Sequence, residues 1–287
     1  MKRTAAILLV LLAGVAWPVN YCAGYPASGQ EIASTVNSGF TTQQTLLSED
    51  EFREFLKTAK IFRIEQTAKG ITAPAELILS DGQRTIAASF QCVEKFRPRT
   101  QHPGYITLEF RDSYEYDIAA YQLAKLLGLG NMIPVTVEYT WNRKQGALSW
   151  WVPAKWDEED RRKLNLQPPD ENAWNKQMNR MWVFSQLVND PDRNETNMLI
   201  TEDWKLWMID FSRAFRLETD PKNSEHLVMC DRQLLQKLRQ LDAAQILERT
   251  KPHLTEKEVK AVMARRDWIV AHFERLIAEK GEEKVLY

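Results

Sequence analysis

The chain has 287 residues, 44% of them hydrophobic, with 38 Lys and Arg against 39 Asp and Glu for a net charge of −1. That length suits one large or two small lobes around a substantial core. The near-zero charge leaves no electrostatic footprint for nucleic acid or an acidic membrane surface, and three cysteines make no disulfide framework in so long a chain.

Residues 1–27 read as an export signal or an uncleaved N-terminal anchor. Lys2-Arg3 precede the apolar run 5–17, and Ala23 and Ala27 offer cleavage points. The run is short for a membrane span. Tyr21 stands before Cys22 where lipidation wants a small residue. Export would place the protein in the periplasm or outside the cell, leaving Cys92 and Cys230 either to pair or to remain buried thiols. Residues 28–47, rich in Ser, Thr, Gly and Gln, read as a flexible linker.

A helix over 49–60 is expected after Ser48, because Glu51 three residues on completes a capping box; it would bury Phe52, Phe55 and Leu56. Strands over 61–68, 75–80 and 84–94 follow, the second and third joined at Asp81-Gly82 and the first two at Lys69-Gly70-Ile71-Thr72. Alternation along the third puts Gln91, Val93 and Lys95 on one face and Phe90 and Cys92 on the other. A helix over 112–127 carries Glu115 and Asp117. Alternation over 134–139, the turn Asn142-Arg143-Lys144-Gln145-Gly146 and the run 147–152 read as a hairpin. The charged stretch 156–165 is a surface helix or insert.

Pro168-Pro169-Asp170 starts a long helix with Asp170 as N-cap. Further helices are expected at 231–241, 243–249 and 255–280, the last opened by a second capping box, Thr255 with Glu258. Arg265-Arg266 read as part of a solvated face. His102, His226, His253 and His272 are scattered, with no zinc spacing.

The chemistry lies between these helices. Met178, Met181, Trp182, Ser185 and Val188, at spacings of three and four, run into the polar loop 189–197. Two short apolar runs follow and end at Asp210. Asp192 and Asn197 match D-x-x-x-x-N, and Asp210-Phe211-Ser212 stands where D-F-G would. Phosphoryl transfer needs one acid to orient the acceptor hydroxyl and take its proton, and an amide and a second acid to hold Mg²⁺. Taken alone, the loop also fits ordinary turn chemistry, since Asp, Asn and Pro satisfy local backbone groups.

Asp192-Arg193-Asn194-x-x-Asn197 resembles the D-R-H-x-x-N loop of the atypical kinases: phosphatidylinositol 3/4-kinases, HipA-type Ser/Thr kinases and the secretory-pathway, Golgi casein kinase-like group. Ile209-Asp210-Phe211-Ser212-Arg213-Ala214-Phe215 is similar to the last group's L-D-N-G-R-A-F. Asp117-Ile118-Ala119-Ala120-Tyr121-Gln122-Leu123, with Leu126-Leu127-Gly128 and Ile133-Pro134-Val135, resembles its helix segment E-x-A-A-y-x-L…L-G…v-P-p. The matched stretches cover roughly 80–215, under half of the chain.

The resemblance implies an α+β, bilobal protein-kinase-like fold, with a small β-rich N-lobe over 48–152 and a larger helical C-lobe over 153–287. It implies ATP with Mg²⁺ or Mn²⁺, transfer to a hydroxyl of protein, sugar or lipid, and a monomer. Asp192 would be the catalytic acid, with Arg193 binding phosphate or bracing the loop; Asn197 and Asp210 would hold metal. The Gly70 turn would cover the phosphates or be an ordinary hairpin turn, since no G-x-G-x-x-G is present. Trp151, in Ser149-Trp150-Trp151-Val152, would line the adenine hinge, although one or both Trp residues can equally be lobe packing.

Two positions depart from the pattern. Gln91 stands where the phosphate-binding Lys is expected, leaving Lys95, paired with Asp117 or Glu115, as substitute or as a solvated strand-end lysine. Asp117 stands for the helix Glu, one methylene shorter. Both departures support a second reading, an inactive pseudokinase serving as a binding module. A third is a carbohydrate-binding surface built from the 10 Trp residues.

Overall fold

The computed structural model describes residues 47–66, 75–102 and 105–287. The expected leader, nearly all of the linker and the turn at 69–72 with Gly70 lie outside the described residues. Among the described residues no helix is long and apolar enough to cross a membrane.

Helix α1 (Glu49–Thr58) starts at the capping box read from sequence. Ser48 Oγ accepts from the Glu51 N–H at 3.3 Å, and Glu51 Oε2 accepts from the Ser48 N–H at 2.8 Å. Glu49, Asp50 and Glu51 fill the first turn, where the helix dipole favours acids. Phe52, Phe55 and Leu56 are buried.

Strands β1 (Lys60–Gln66), β2 (Ala75–Ser80) and β3 (Thr85–Gln91) lead into a separate hairpin, β4 (Glu94–His102) and β5 (Tyr105–Ser113). After helix α2 (Glu115–Leu127) come β6 (Thr136–Trp141) and β7 (Lys144–Trp150). One five-stranded antiparallel sheet runs in the order β1-β2-β3-β7-β6. Leu77, Leu79, Ala88, Phe90 and Leu148 line its buried face under α1. Gly146 is required where β7 meets β3, because a Cβ there would stand 2.4 Å from the Gln91 carbonyl oxygen and 2.6 Å from the Phe90 ring.

Sequence alternation carried the third strand through residue 94, but its ladder with β7 ends at the Gln91–Ala147 pair. The chain then leaves the sheet, and the Tyr114 N–H bonds to the Val93 carbonyl at 2.8 Å. The hairpin β4–β5 was not expected, and α2 accordingly begins at Glu115 rather than 112. That helix is buried on nearly every side and ends at Gly128, whose φ of 76° gives a left-handed cap. Although it lies inside the range read as N-lobe, its apolar residues join the C-terminal core.

The C-terminal part contains β8 (Trp156–Asp157), α3 (Glu158–Lys163), α4 (Glu171–Leu187), β9 (Met198–Ile200) and β10 (Leu206–Met208), followed by α5 (Arg232–Gln240), α6 (Ala243–Thr250), α7 (Glu256–Lys280) and α8 (Glu282–Val285). Strands β10, β9 and β8 make a small sheet, and both capping residues, Asp170 and Thr255, act as read. The result is the α+β, two-lobed, kinase-like architecture expected from the motifs.

One expectation is corrected, and two open alternatives are decided or narrowed. Arg265 is fully buried, not on a solvated face: it donates to the carbonyls of Leu187 (2.7 Å), Arg216 (2.8 Å) and Glu218 (2.6 Å), and burial pulls its pKa down to about 10. Of the two outcomes left open for Cys230, the structure shows the buried free thiol, pushed up to about 12 by burial, and not a pair with Cys92. No described Trp is exposed, and Trp150 packs edge-on against Trp207 with ring centroids 5.0 Å apart. Trp150 thus takes the packing role weighed for it in the sequence.

Candidate active site

Helix α4 delivers the chain to the loop. It ends at Val188, whose carbonyl accepts the Phe215 N–H at 2.6 Å, and the Asp190 N–H returns to the Ser185 carbonyl at 3.0 Å. Asn189 turns the chain with φ of 44°, a conformation Asn tolerates.

Arg193 gathers the site from beneath. Nη1 donates to the carbonyls of Asn197 at 2.6 Å and Ile209 at 2.7 Å, Nη2 meets Asp190 Oδ2 at 2.5 Å, and the guanidinium lies 4.4 Å over the Phe211 ring. Its side chain is 2% exposed. Of the two roles read for it, the structure assigns bracing, and its placement among catalytic residues is corrected: every contact points inward. Burial raises the Asp190 carboxyl above the usual carboxylate range even with Arg193 beside it.

The brace joins the loop to the segment after β10, and the Ile209 N–H also bonds to the Asn197 carbonyl at 3.1 Å. Asp192, Asn197 and Asp210 are thereby brought to one place. Asn197 Nδ2 donates to the Asp192 carbonyl at 3.0 Å, which leaves Oδ1 as the atom offered to a cation. Asp210 has φ of 56° and its Oδ1 accepts from Ser212 Oγ at 3.0 Å.

Asp117 Oδ1 accepts the Phe211 N–H at 2.7 Å, while Oδ2 is buried without a partner. Burial, then the charge of Asp210, holds this carboxyl well above the ordinary range. The α2 acid is therefore fastened to the Asp210 segment, not to a lysine. Glu115 pairs with Arg111, whose Nε also bonds Glu94 Oε1 at 3.0 Å. Lys95 is exposed on β4, opposite Asp112 in the hairpin, so the expected pairing of Lys95 with Asp117 or Glu115 is not formed. Its register put it on a strand that turns out to belong to another sheet.

Sequence reasoning missed Asp112 and gave Arg213 no role. Arg213 Nε donates to Asp112 Oδ2 at 3.1 Å and Nη1 to Asp192 Oδ2 at 3.0 Å. Arg213 was inside the motif already quoted; Asp112 carried no sequence signal. Trp151 begins the crossing from β7 to β8, its N–H bonded to the Ala87 carbonyl at 3.0 Å.

Asn197 Oδ1 and the Asp210 carboxylate are hard oxygen donors, with the orphaned Asp117 oxygen nearby, and they fit Mg²⁺ or Mn²⁺ completed by phosphate oxygens. Among the described residues no three His, Cys, Asp or Glu converge into a metal site of their own.

No protein-family model matches the chain, and no curated protein matches it in sequence. Solved structures match its fold. A hydra Fam20 protein, solved with sugar, superposes with a TM-score of 0.63 at 16% identity, over 83% of this chain and 91% of that one. The Golgi casein kinase with manganese and ADP bound gives 0.60 at 12% identity, over 83% and 78%. The Helicobacter pylori proinflammatory kinase CtkA gives 0.50 at 12%, over 78% and 98%. The chain shares the fold of these proteins.

Proposed function

We propose that this protein is an exported phosphotransferase, moving the terminal phosphoryl group of ATP to a hydroxyl acceptor with Mg²⁺ or Mn²⁺ bound. The observation that carries the reading is the buried brace Arg193, which bonds the carbonyls of Asn197 and of Ile209, next to Asp210, and pairs with Asp190 two residues before Asp192. The nucleotide and manganese bound in the similar Golgi casein kinase support the cofactor set.

In the proposed reaction the acceptor oxygen bonds to the γ-phosphorus as its bond to the β,γ-bridging oxygen breaks. ADP leaves and the hydroxyl proton passes to Asp192. The divalent ion would neutralise the phosphate charge. Asn197 and Asp210 would hold it, and Asp117 would set the position of Asp210 through the Phe211 N–H. The charged leader supports export.

A binding module without catalysis is the second reading, favoured by Gln91 at the end of β3 and by the exposure of Lys95. Incubation with γ-labelled ATP, Mn²⁺ and a panel of protein, glycan and inositol-lipid acceptors separates the two. Label transferred by the wild type and lost at least 100-fold in Asp192→Asn, with ATP affinity retained, supports transfer. ATP bound with no label moved to any acceptor or to water favours the module.

A further inference from the structure

Kinase-like catalysis needs a cation on the nucleotide phosphates, and the strand position that should provide it holds Gln91. The cations near the site differ in what they are free to do. Lys95 is exposed on the β4–β5 hairpin. Arg111 is committed to Glu94 and Glu115, and Arg193 is buried against carbonyls and Asp190. Arg216 is buried over the Phe110 ring, 4.3 Å from its centroid.

Arg213 alone of these spans the cleft acids with its side chain 38% exposed. It is held at one end by buried Asp112 and touches Asp192 at the other, three residues after Asp210. Its Nη2 group has no hydrogen-bond partner among the described residues. A guanidinium has five donors in a fork that matches phosphate oxygens, and a phosphate between Asp210 and Asp192 would lie within its reach.

We infer that Arg213 is the phosphate-binding cation of this site, taking the role that Gln91 cannot fill: Asp112 anchors its Nε, and its Nη groups turn from Asp192 to the terminal phosphates of a bound nucleoside triphosphate. The inference rests on the nucleotide-binding reading above. The same movement frees the Asp192 carboxylate for the acceptor hydroxyl, so binding of the triphosphate and exposure of the base are one event.

The test is calorimetric titration of the full chain with Mn²⁺-ATP and, separately, with adenosine, which has no phosphate. Arg213→Gln is expected to weaken Mn²⁺-ATP at least tenfold and leave adenosine unchanged. Arg213→Lys should fall between, since it keeps the charge and loses the fork. Adenosine binding reports that the cleft of each variant is folded. Undiminished Mn²⁺-ATP affinity in Arg213→Gln overturns the inference while leaving nucleotide binding intact, and so does a loss that appears in Lys95→Ala instead. A wild type that binds neither ligand takes down the nucleotide-binding reading and this inference together.

Discussion

Asp117 Oδ1 accepts the backbone N–H of Phe211 at 2.7 Å, tying the first turn of helix α2 to the residue after Asp210. In the kinase pattern this helix acid grips a lysine on the third strand; here it grips the segment that carries Asp210. Tyr116 and Tyr121 extend the tether, bonding Glu258 of α7 and Glu49 of α1. The helix is thereby fixed from three sides.

The raised Asp117 carboxyl makes its contribution pH-dependent. A folded-state pKa above the unfolded value, about 3.9, means that folding favours the protonated form. Stability from this group is present at low pH and lost as pH rises from that value towards the folded one. Asp117→Asn keeps an oxygen for the Phe211 N–H and removes the titration. Its melting temperature relative to wild type, measured without metal, should climb as pH rises above the unfolded value of about 4; a flat or falling difference would show that Asp117 carries no buried charge penalty.

Arg193 and Asp190 form a buried pair, with side chains 2% and 0% exposed. Removing one partner strands the other, so Arg193→Leu should cost about 3–5 kcal/mol in urea unfolding. The double variant Arg193→Leu/Asp190→Leu should lose less than the sum of the singles by at least about 1 kcal/mol. Strict additivity would mean the two charges do not sense each other. Arg193→Lys should not rescue, because an ammonium cannot reach both carbonyls and the carboxylate in one plane.

Arg265 clamps the end of α4 to the segment at residues 216–218. Arg265→Met fills similar volume and leaves those carbonyls unpaired, at roughly 1–3 kcal/mol for each buried group. Hydrogen exchange should accelerate locally, in the amides of residues 214–220 and in the last turn of α4. Exchange that rises only uniformly across the C-lobe would show global destabilisation instead of a clamp.

Much of the fold was legible because its signals are local. Ser48 with Glu51 and Thr255 with Glu258 marked two helix starts, and Asp192, Asn197 and Asp210 announced themselves by spacing. What escaped depends on pairing at a distance. Alternation runs unbroken past Gln91, so nothing in residues 92–113 says that the strand leaves one sheet and a hairpin begins. Arg265 looks like any charge on a helix until the unpaired carbonyls of Leu187, Arg216 and Glu218 are placed around it. Arg213 lay within a recognised motif, but its partner Asp112 is 101 positions away, beyond the reach of any short pattern. The two-residue β8 is too short to show periodicity.

The site's central claim is that Asp210 holds a divalent ion against a nucleotide. A thermal-shift titration of wild type and Asp210→Ala with ATP, with and without Mn²⁺, tests it directly. Ligand at a hundredfold excess over Kd stabilises the folded state by about 2.7 kcal/mol. The wild type should melt several degrees higher only when ATP and Mn²⁺ are both present, and Asp210→Ala should show no such rise while melting normally without ligand. A wild type whose melting temperature is indifferent to Mn²⁺-ATP, or an Asp210→Ala variant that shifts as far as wild type, would contradict a metal-nucleotide site at Asp210.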